Sequence, residues 1–500
     1  MEIFPAQPTF NAAYANGDNQ VLWTELVADM DTAVSLMLKL TGAKPDSFML
    51  ESVTGGEIRG RYSVIGCNPD LIWRCRGEKA EINRAAQHDR KHFKTEQKPS
   101  LDSLRALLAE CHMDLPEGLP PMAAGLYGYL GYDTIRLVEK LPNVNPDPLG
   151  LPDAILTRPS VIAIVDNVKD QVILCAPVWH DSGVSADDAY LSGTNRLQDA
   201  LTALDRAPSY TPVTPQSSEP VREVEALSNT THAEYLDMVE RAKEYIRAGD
   251  IFQVVPSQRW ALDLEVPPFA LYRALRRLNP SPYMFYFDFG GFQVTGASPE
   301  ILVRVKGDIV TIRPIAGTRP RGATPAEDKA LEEDLLADPK ERAEHLMLLD
   351  LGRNDVGRVA RIGTVDPNEQ FNVELYSHVM HIVSNVDGVL REDQDALSAL
   401  LAGLPAGTVS GAPKIRAMEI IDELEKEKRG VYAGGVGYFS AGGDMDTCIA
   451  LRTGVVKDGK LYVQAGGGVV YDSDPQAEFD ETVNKSKALI AAARTARVFN

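Results

Sequence analysis

Cysteine is scarce and unpatterned: Cys67, Cys75, Cys111, Cys175 and Cys448 form no CxxC pair and no zinc-site spacing. That excludes a disulfide scaffold and a structural zinc module, and it suits a reducing compartment. No stretch approaches the ~20 apolar residues that span a bilayer, and the first thirty residues lack a basic segment followed by an apolar run. A cytoplasmic protein without membrane attachment is expected. Positive charge is also short, with 51 Lys and Arg against 71 Asp and Glu and a net charge of -20. The summed field repels nucleic-acid backbones and anionic membrane surfaces. It repels an anionic small molecule as well, so a site for one must gather basic side chains or a metal ion locally.

What is present is a core-forming chain of 500 residues, 44% apolar, long enough for more than one domain. The clearest composition shift is APSYTPVTPQSSEP, Ala207 to Pro220, which reads as a linker. The expected division is residues 1–206 as a mixed α and β domain, 207–228 as linker and 229–500 as a second domain. In the first part Asp29 to Leu40 reads as an amphipathic helix and Val161 to Pro177 as two β-rich runs around a polar turn. In the second, hairpin turns are predicted at Gly290-Gly291, near Gly307 and at Asp458-Gly459. Helices are predicted over His232–Ala248, Ala326–Ala337, Lys340–Leu351, Pro413–Lys428 and Pro475–Arg497, with Pro413 and Pro475 at starts. Hairpins interrupted by helices, without βαβ alternation, point to an antiparallel-rich α+β fold.

Two glutamate pairs, Glu341 with Glu344 and Glu478 with Glu481, are spaced i, i+3 and therefore share a helix face. Two such faces meeting can give a hard cation its oxygen ligands, although composition alone favours solvated helix faces. Glycines cluster in PIAGTRPRG (Pro314–Gly322), PAGTVSGAPK (Pro405–Lys414) and QAGGGVVYDSDP (Gln464–Pro475). Each is either a tight turn or a place where backbone amides approach carboxylate oxygens. His381 lies in an apolar, strand-like run, either as a proton carrier or as a hydrogen-bonded core residue. Arg452, at the end of DTCIALRTG, is either a carboxylate fork or half of a structural ion pair.

GASPE, PIAGTRPRG, the run ending in DLGRND, PAGTVSGAPK, RGVYAGGVGY, DTCIALRT and AGGGVVYDSDPQAEFDET stand in this order between about Thr231 and Ala491. Together they resemble the chorismate-utilising enzymes. The resemblance implies antiparallel β-sheets packed face to face with peripheral helices, in two interlocking domains, and a Mg²⁺-dependent reaction on chorismate. It assigns the metal to Glu344 and Glu481, with Glu341 and Glu478 ligating through water. It assigns the substrate carboxylates to Gly317, Thr318, Thr408, Tyr432, Arg452, Gly466, Gly467 and Gly468, with Lys485 as a further basic contact, and counts Thr408 with Glu300 and His381 as catalytic. Glu300 matches the acid that helps the C4 hydroxyl leave as water while ammonia enters at C2, and such an acid needs a raised pKa. His381 matches the base that takes the C2 proton as pyruvate leaves.

Within that family Gln253 stands where isochorismate and salicylate synthases carry a water-activating lysine, and Ala316 stands where aminodeoxychorismate synthases carry a nucleophilic one. The pattern resembles the anthranilate synthase large subunits, with aminodeoxychorismate synthase and a non-catalytic tryptophan-binding regulator as alternatives. FMLESVTGGEIRGRYSVIG and NPSPYMFYF resemble that group's tryptophan feedback site, which implies inhibitor contacts at Glu51, Ser52, Pro280, Ser281, Pro282, Met284 and Tyr438. No stretch carries the nucleophilic cysteine, histidine and glutamate of a glutamine amidotransferase. Ammonia is therefore expected from a separate glutaminase subunit in a hetero-oligomer.

Overall fold

The computed structural model describes residues 2–52, 60–207, 225–376 and 379–499. Among these residues, hydrogen bonds join 21 strands into one branched antiparallel network, with a two-stranded ribbon, Gln253–Val254 on Gly411–Ala412, beside it. The halves of the chain are stitched together by strand pairing. Ser47–Glu51 lies between Tyr62–Arg76 and Tyr283–Asp288, while Gly125–Leu130 lies between Ala154–Asp166 and Gly435–Ser440.

Side-chain alternation explains why this network folds into layers. Along Tyr283–Asp288, Phe285 and Phe287 face one buried cluster while Met284 and Tyr286 face another. Ala154–Asp166 does the same with Ile162 and Ile164 against Ala163 and Val165. A strand apolar on both faces must be covered on both sides. On the inner side Phe48 stacks on Tyr127 at 4.4 Å and on Phe287 at 5.3 Å, and Tyr127 meets Tyr438 at 5.8 Å. Four rings from distant strands thus form one packed seam. Burying each contributes roughly 1.5–3 kcal/mol. On the outer side the helices Pro268–Leu278 and Pro475–Thr495 pack together over the strands, through Phe269, Leu275, Leu489 and Ala492.

The locally encoded elements follow the sequence reading. Asp458 and Gly459 both take left-handed conformations, φ 51° and 75°, as a primed two-residue turn requires. The strands on either side pair up to Lys457 and Lys460. His232–Ala248 forms as expected, opened by a Thr231–Glu234 capping box and closed by Gly249 at φ 83°. Other boundaries move. The first predicted helix starts only at Ala33, because the Thr32 hydroxyl accepts from Ser35 N–H and caps it there. The helix with Glu341 and Glu344 extends over Pro339–Gly357. The one expected to reach Lys428 stops at Leu424, where Glu425 turns extended. Of the expected linker, residues 208–224 lie outside the described residues, and Leu227–Ser228 forms a short strand on Trp260–Ala261. Among the described residues no helix is long and apolar enough to cross a membrane. All five cysteines are buried free thiols.

Candidate active site

Glu300 sits in the turn between the strands Gln293–Ser298 and Ile301–Lys306, pinned by Ile449 N–H donating to its carbonyl at 3.0 Å. Its side chain is 6% exposed, and Thr408 Oγ1 donates to Oε1 at 3.4 Å. Burial pushes the carboxyl up to about 8, against the smaller opposing pull of Thr408, the Ile315 amide and the more distant Lys485. A carboxyl in this state is protonated at neutral pH.

Helix Pro339–Gly357 lies against the strands Ile315–Pro320 and Val379–Val389, and helix Pro475–Thr495 brings Glu478 and Glu481 to the same place. Burial raises the Glu344 carboxyl, and the neighbouring charges of Glu341 and Glu481 raise it further. Burial likewise raises Glu478, with Glu481 adding to it. The i, i+3 pairs thus converge in one electronegative cluster. Basic residues partly occupy it: Arg319 Nη1 donates to Glu341 at 3.2 Å and Lys485 Nζ pairs with Glu481 at 2.7 Å. Among the described residues no three Asp, Glu, His or Cys side chains are grouped as a metal cage. Even so, the donor set suits a divalent cation. Glu478 Oε2 is buried with no hydrogen-bond partner, and Gly467 leaves the space where a Cβ would stand 2.9 Å from it. Gly317 likewise keeps the backbone close to Glu341, whose Oε2 would lie 3.3 Å from a Cβ there.

His381 pairs with Thr318 across the two strands, and its Nδ1 lies 3.0 Å from Thr318 Oγ1 and 3.1 Å from the Gly317 carbonyl. Burial lowers the imidazole, opposed by the Gly317 contact and reinforced by Arg452. It is neutral at pH 7, as a base must be. Arg452 takes a left-handed φ of 47° and is deprotonated more easily than usual because burial strips its hydration. Among the described residues it has no ion pair with any carboxylate. That disfavours the structural-ion-pair reading and leaves a guanidinium able to take a carboxylate bidentately. Tyr432 is 5% exposed; its hydroxyl is pushed up to about 12 mainly by burial and lies beside Gly466. Gly466–Gly468 continues from strand Lys460–Gly466; Gly467 N–H donates to Pro256 O at 3.2 Å and Lys485 Nζ to Gly466 O at 3.0 Å.

The expected inhibitor residues lie elsewhere, on a cavity of about 1710 Å³ that does not include the glutamate cluster. Glu51, Ser52, Pro282, Met284 and Tyr438 line it, whereas Pro280 and Ser281 do not. Both carboxyl oxygens of Glu51 are already held, by Arg276 at 2.6 and 2.7 Å and by the Tyr272 hydroxyl at 2.8 Å.

Sequence reading missed three contributors. Gln253, noted only as a discriminator, donates from Nε2 to Glu344 at 3.5 Å and fills the space beside Gly468, 2.7 Å from a Cβ there. Arg319 lies within PIAGTRPRG, yet nothing local shows that it reaches Glu341, Asp334 and Asp338. Arg429 joins residues some 20 and 174 positions away.

A proton-holding acid, a neutral imidazole, a half-buried guanidinium without an ion pair among the described residues and a cluster of carboxylates beside glycine-bearing backbone together suit the binding of a small anionic molecule. The chain belongs to the chorismate-binding enzyme family, whose model matches residues 58–491. Within that family its similarity runs to anthranilate synthase component 1. It is 66% identical to that protein of Cereibacter sphaeroides over 491 residues, 98% of each chain. It is 50% identical to that of Pseudomonas putida over 96% of each. Among solved structures, anthranilate synthase component I from Streptococcus pneumoniae TIGR4 superposes with a TM-score of 0.75 at 38% identity, covering 88% of this chain and 94% of that one. The menaquinone-specific isochorismate synthase from Escherichia coli shares the fold, with a TM-score of 0.70 at 18% identity over 97% and 100% of the two chains.

Proposed function

We infer that the chain is the large subunit of an anthranilate synthase, converting chorismate and ammonia to anthranilate, pyruvate and water in tryptophan biosynthesis. The observation that best supports the chemistry is Glu300, a carboxyl kept protonated by burial and held by the Thr408 hydroxyl. Glu300 gives its proton to the departing C4 hydroxyl, Thr408 holding the carboxyl in place. Ammonia attacks C2 directly, since Ala316 offers no internal amine. His381, neutral and oriented by Gly317 and Thr318, then takes the C2 proton as the enolpyruvyl group leaves, and that group is protonated at its methylene carbon to give pyruvate. Arg452 and Tyr432 hold one substrate carboxylate, while the amides of Gly466–Gly468 and Lys485 border the other.

Glu344 and Glu481 would hold Mg²⁺, with Glu341 and Glu478 ligating it through water. The ion, when bound, neutralises a substrate carboxylate and offsets the repulsion among these four glutamates. Tryptophan occupies the cavity between Glu51–Ser52 and Met284, and favours an arrangement of the 1–206 and 229–500 portions with a less competent site. The relatives bear the designation component 1, which supports a separate glutaminase subunit in a hetero-oligomer; a cytoplasmic location goes with this reading.

Purified chain, chorismate, Mg²⁺ and ammonium at alkaline pH should yield fluorescent anthranilate with equimolar pyruvate, and tryptophan should suppress both. An aminated intermediate accumulating without pyruvate would instead mark an aminodeoxychorismate synthase. Tryptophan binding with no turnover would mark a regulator.

A further inference from the structure

Arg429 was not among the sequence-predicted site residues, and at 3% exposure it does not reach the substrate space. Its guanidinium nevertheless meets the backs of three walls of that space. Nη1 donates to Val409 O at 2.6 Å, one residue beyond Thr408. Nη2 donates to Val255 O at 2.6 Å, two residues beyond Gln253 and one before Pro256, whose carbonyl receives Gly467 N–H. Its face lies 5.5 Å from the Tyr432 ring centroid and 4.9 Å from that of Tyr132. Its charge is met by Glu425, which accepts from Nε at 3.0 and 3.1 Å and from Nη2 at 2.5 Å. Glu425 Oε1 in turn accepts from Ser257 N–H and Oγ, both at 2.8 Å, and Ser257 pairs across the sheet with Gly466.

We propose that Arg429, backed by Glu425, is a positioning residue that sets the spacing between the Thr408 turn, the glycine-bearing wall and Tyr432. This rests on the reading that these three face chorismate. A planar fork can donate in two fixed directions at once while its face stays against an aromatic ring; a lysine ammonium donates from one point and cannot keep the fork's spacing. Few other residue types could do this. The two carbonyls belong to separate segments that meet in the two-stranded ribbon and through Val255 N–H donating to Ser410 O at 3.0 Å, and the guanidinium braces that junction by taking both carbonyls at once.

The test compares Arg429→Lys with Arg158→Lys, a buried arginine paired with Asp70 in the first half of the chain. For both, kcat and chorismate KM are measured with ammonium and Mg²⁺ below the onset of unfolding, together with the thermal midpoint and tryptophan binding. Arg158→Lys should lower the midpoint and leave both kinetic constants at the parent values. Arg429→Lys should still bind tryptophan, yet raise KM about tenfold and lower kcat/KM about a hundredfold. If Arg429→Lys fails to fold, Glu425→Gln replaces it; that change keeps an acceptor for Ser257 and weakens the hold on Arg429, and KM should rise several-fold. Parental kcat and KM in folded Arg429→Lys, or in Glu425→Gln where that stands in, overturn the proposal. So does a loss that only follows the folded fraction. A parent chain inactive on chorismate would sink the functional reading itself.

Discussion

Replacing Glu300 with glutamine separates its acid role from its structural one, because the amide keeps the side-chain shape and can still accept from Thr408. The folded protein holds a proton on this carboxyl up to pH about 8, whereas the unfolded chain releases it near the ordinary value of 4.5. Unfolding in that window therefore releases one proton, so the group's contribution is full below pH 4.5 and falls as pH rises toward 8. The slope approaches 1.4 kcal/mol per pH unit. Between pH 5 and 8 the parent should lose up to about 4 kcal/mol relative to Glu300→Gln, three pH units at that slope. Denaturant unfolding at unit pH steps reads this directly. Turnover should drop 10²- to 10⁴-fold, the usual range for a lost general acid. At fixed free NH₃, parental kcat/KM should decline above pH about 8 as the acid ionises. A parent-minus-variant stability difference that stays flat from pH 5 to 8 would show the carboxyl ionised at neutral pH, and the acid assignment would fail.

Glu344→Gln removes one of four mutually repelling carboxylates; in metal-free protein the thermal midpoint should rise by a few degrees, while Mg²⁺-dependent kcat/KM falls about a thousandfold. A lower midpoint in chelator would contradict the repulsion argument. His381→Ala should leave amination nearly intact but slow pyruvate release by about 10²-fold or more, so that the aminated intermediate accumulates in a chromatographic assay. Gly467→Ala puts a methyl group 2.9 Å from Glu478 Oε2, and weaker Mg²⁺ binding, read by titration calorimetry, should accompany reduced turnover. Ser52→Phe narrows the cavity beside Met284 and should raise the tryptophan concentration for half inhibition by at least about tenfold at unchanged uninhibited rate; equal sensitivity in mutant and parent would refute that site.

Local chemistry made much of this molecule readable in advance. The Asp458-Gly459 turn needs only its own two backbones, and His232–Ala248 needs only its cap residues and apolar stripe. The i, i+3 spacing alone puts Glu341 with Glu344, and Glu478 with Glu481, on shared helix faces. The resemblance carried by ordered motifs then named the chemistry. Distance along the chain limited what could be read. Whether the two glutamate faces meet and how deeply Glu300 is buried depend on elements more than a hundred residues apart, while Arg319 reaches Glu341 from a strand 22 positions away. The pairing of Ser47–Glu51 with Tyr283–Asp288, and the bonds that Arg429 makes to Val255 and Val409, arise only when separate segments come together. Residue types and short spacings thus determined which groups are available, because turns, caps and helix faces are settled within a few residues. Their protonation and mutual distances were decided by the tertiary structure, because desolvation and Coulomb interaction depend on proximity in space.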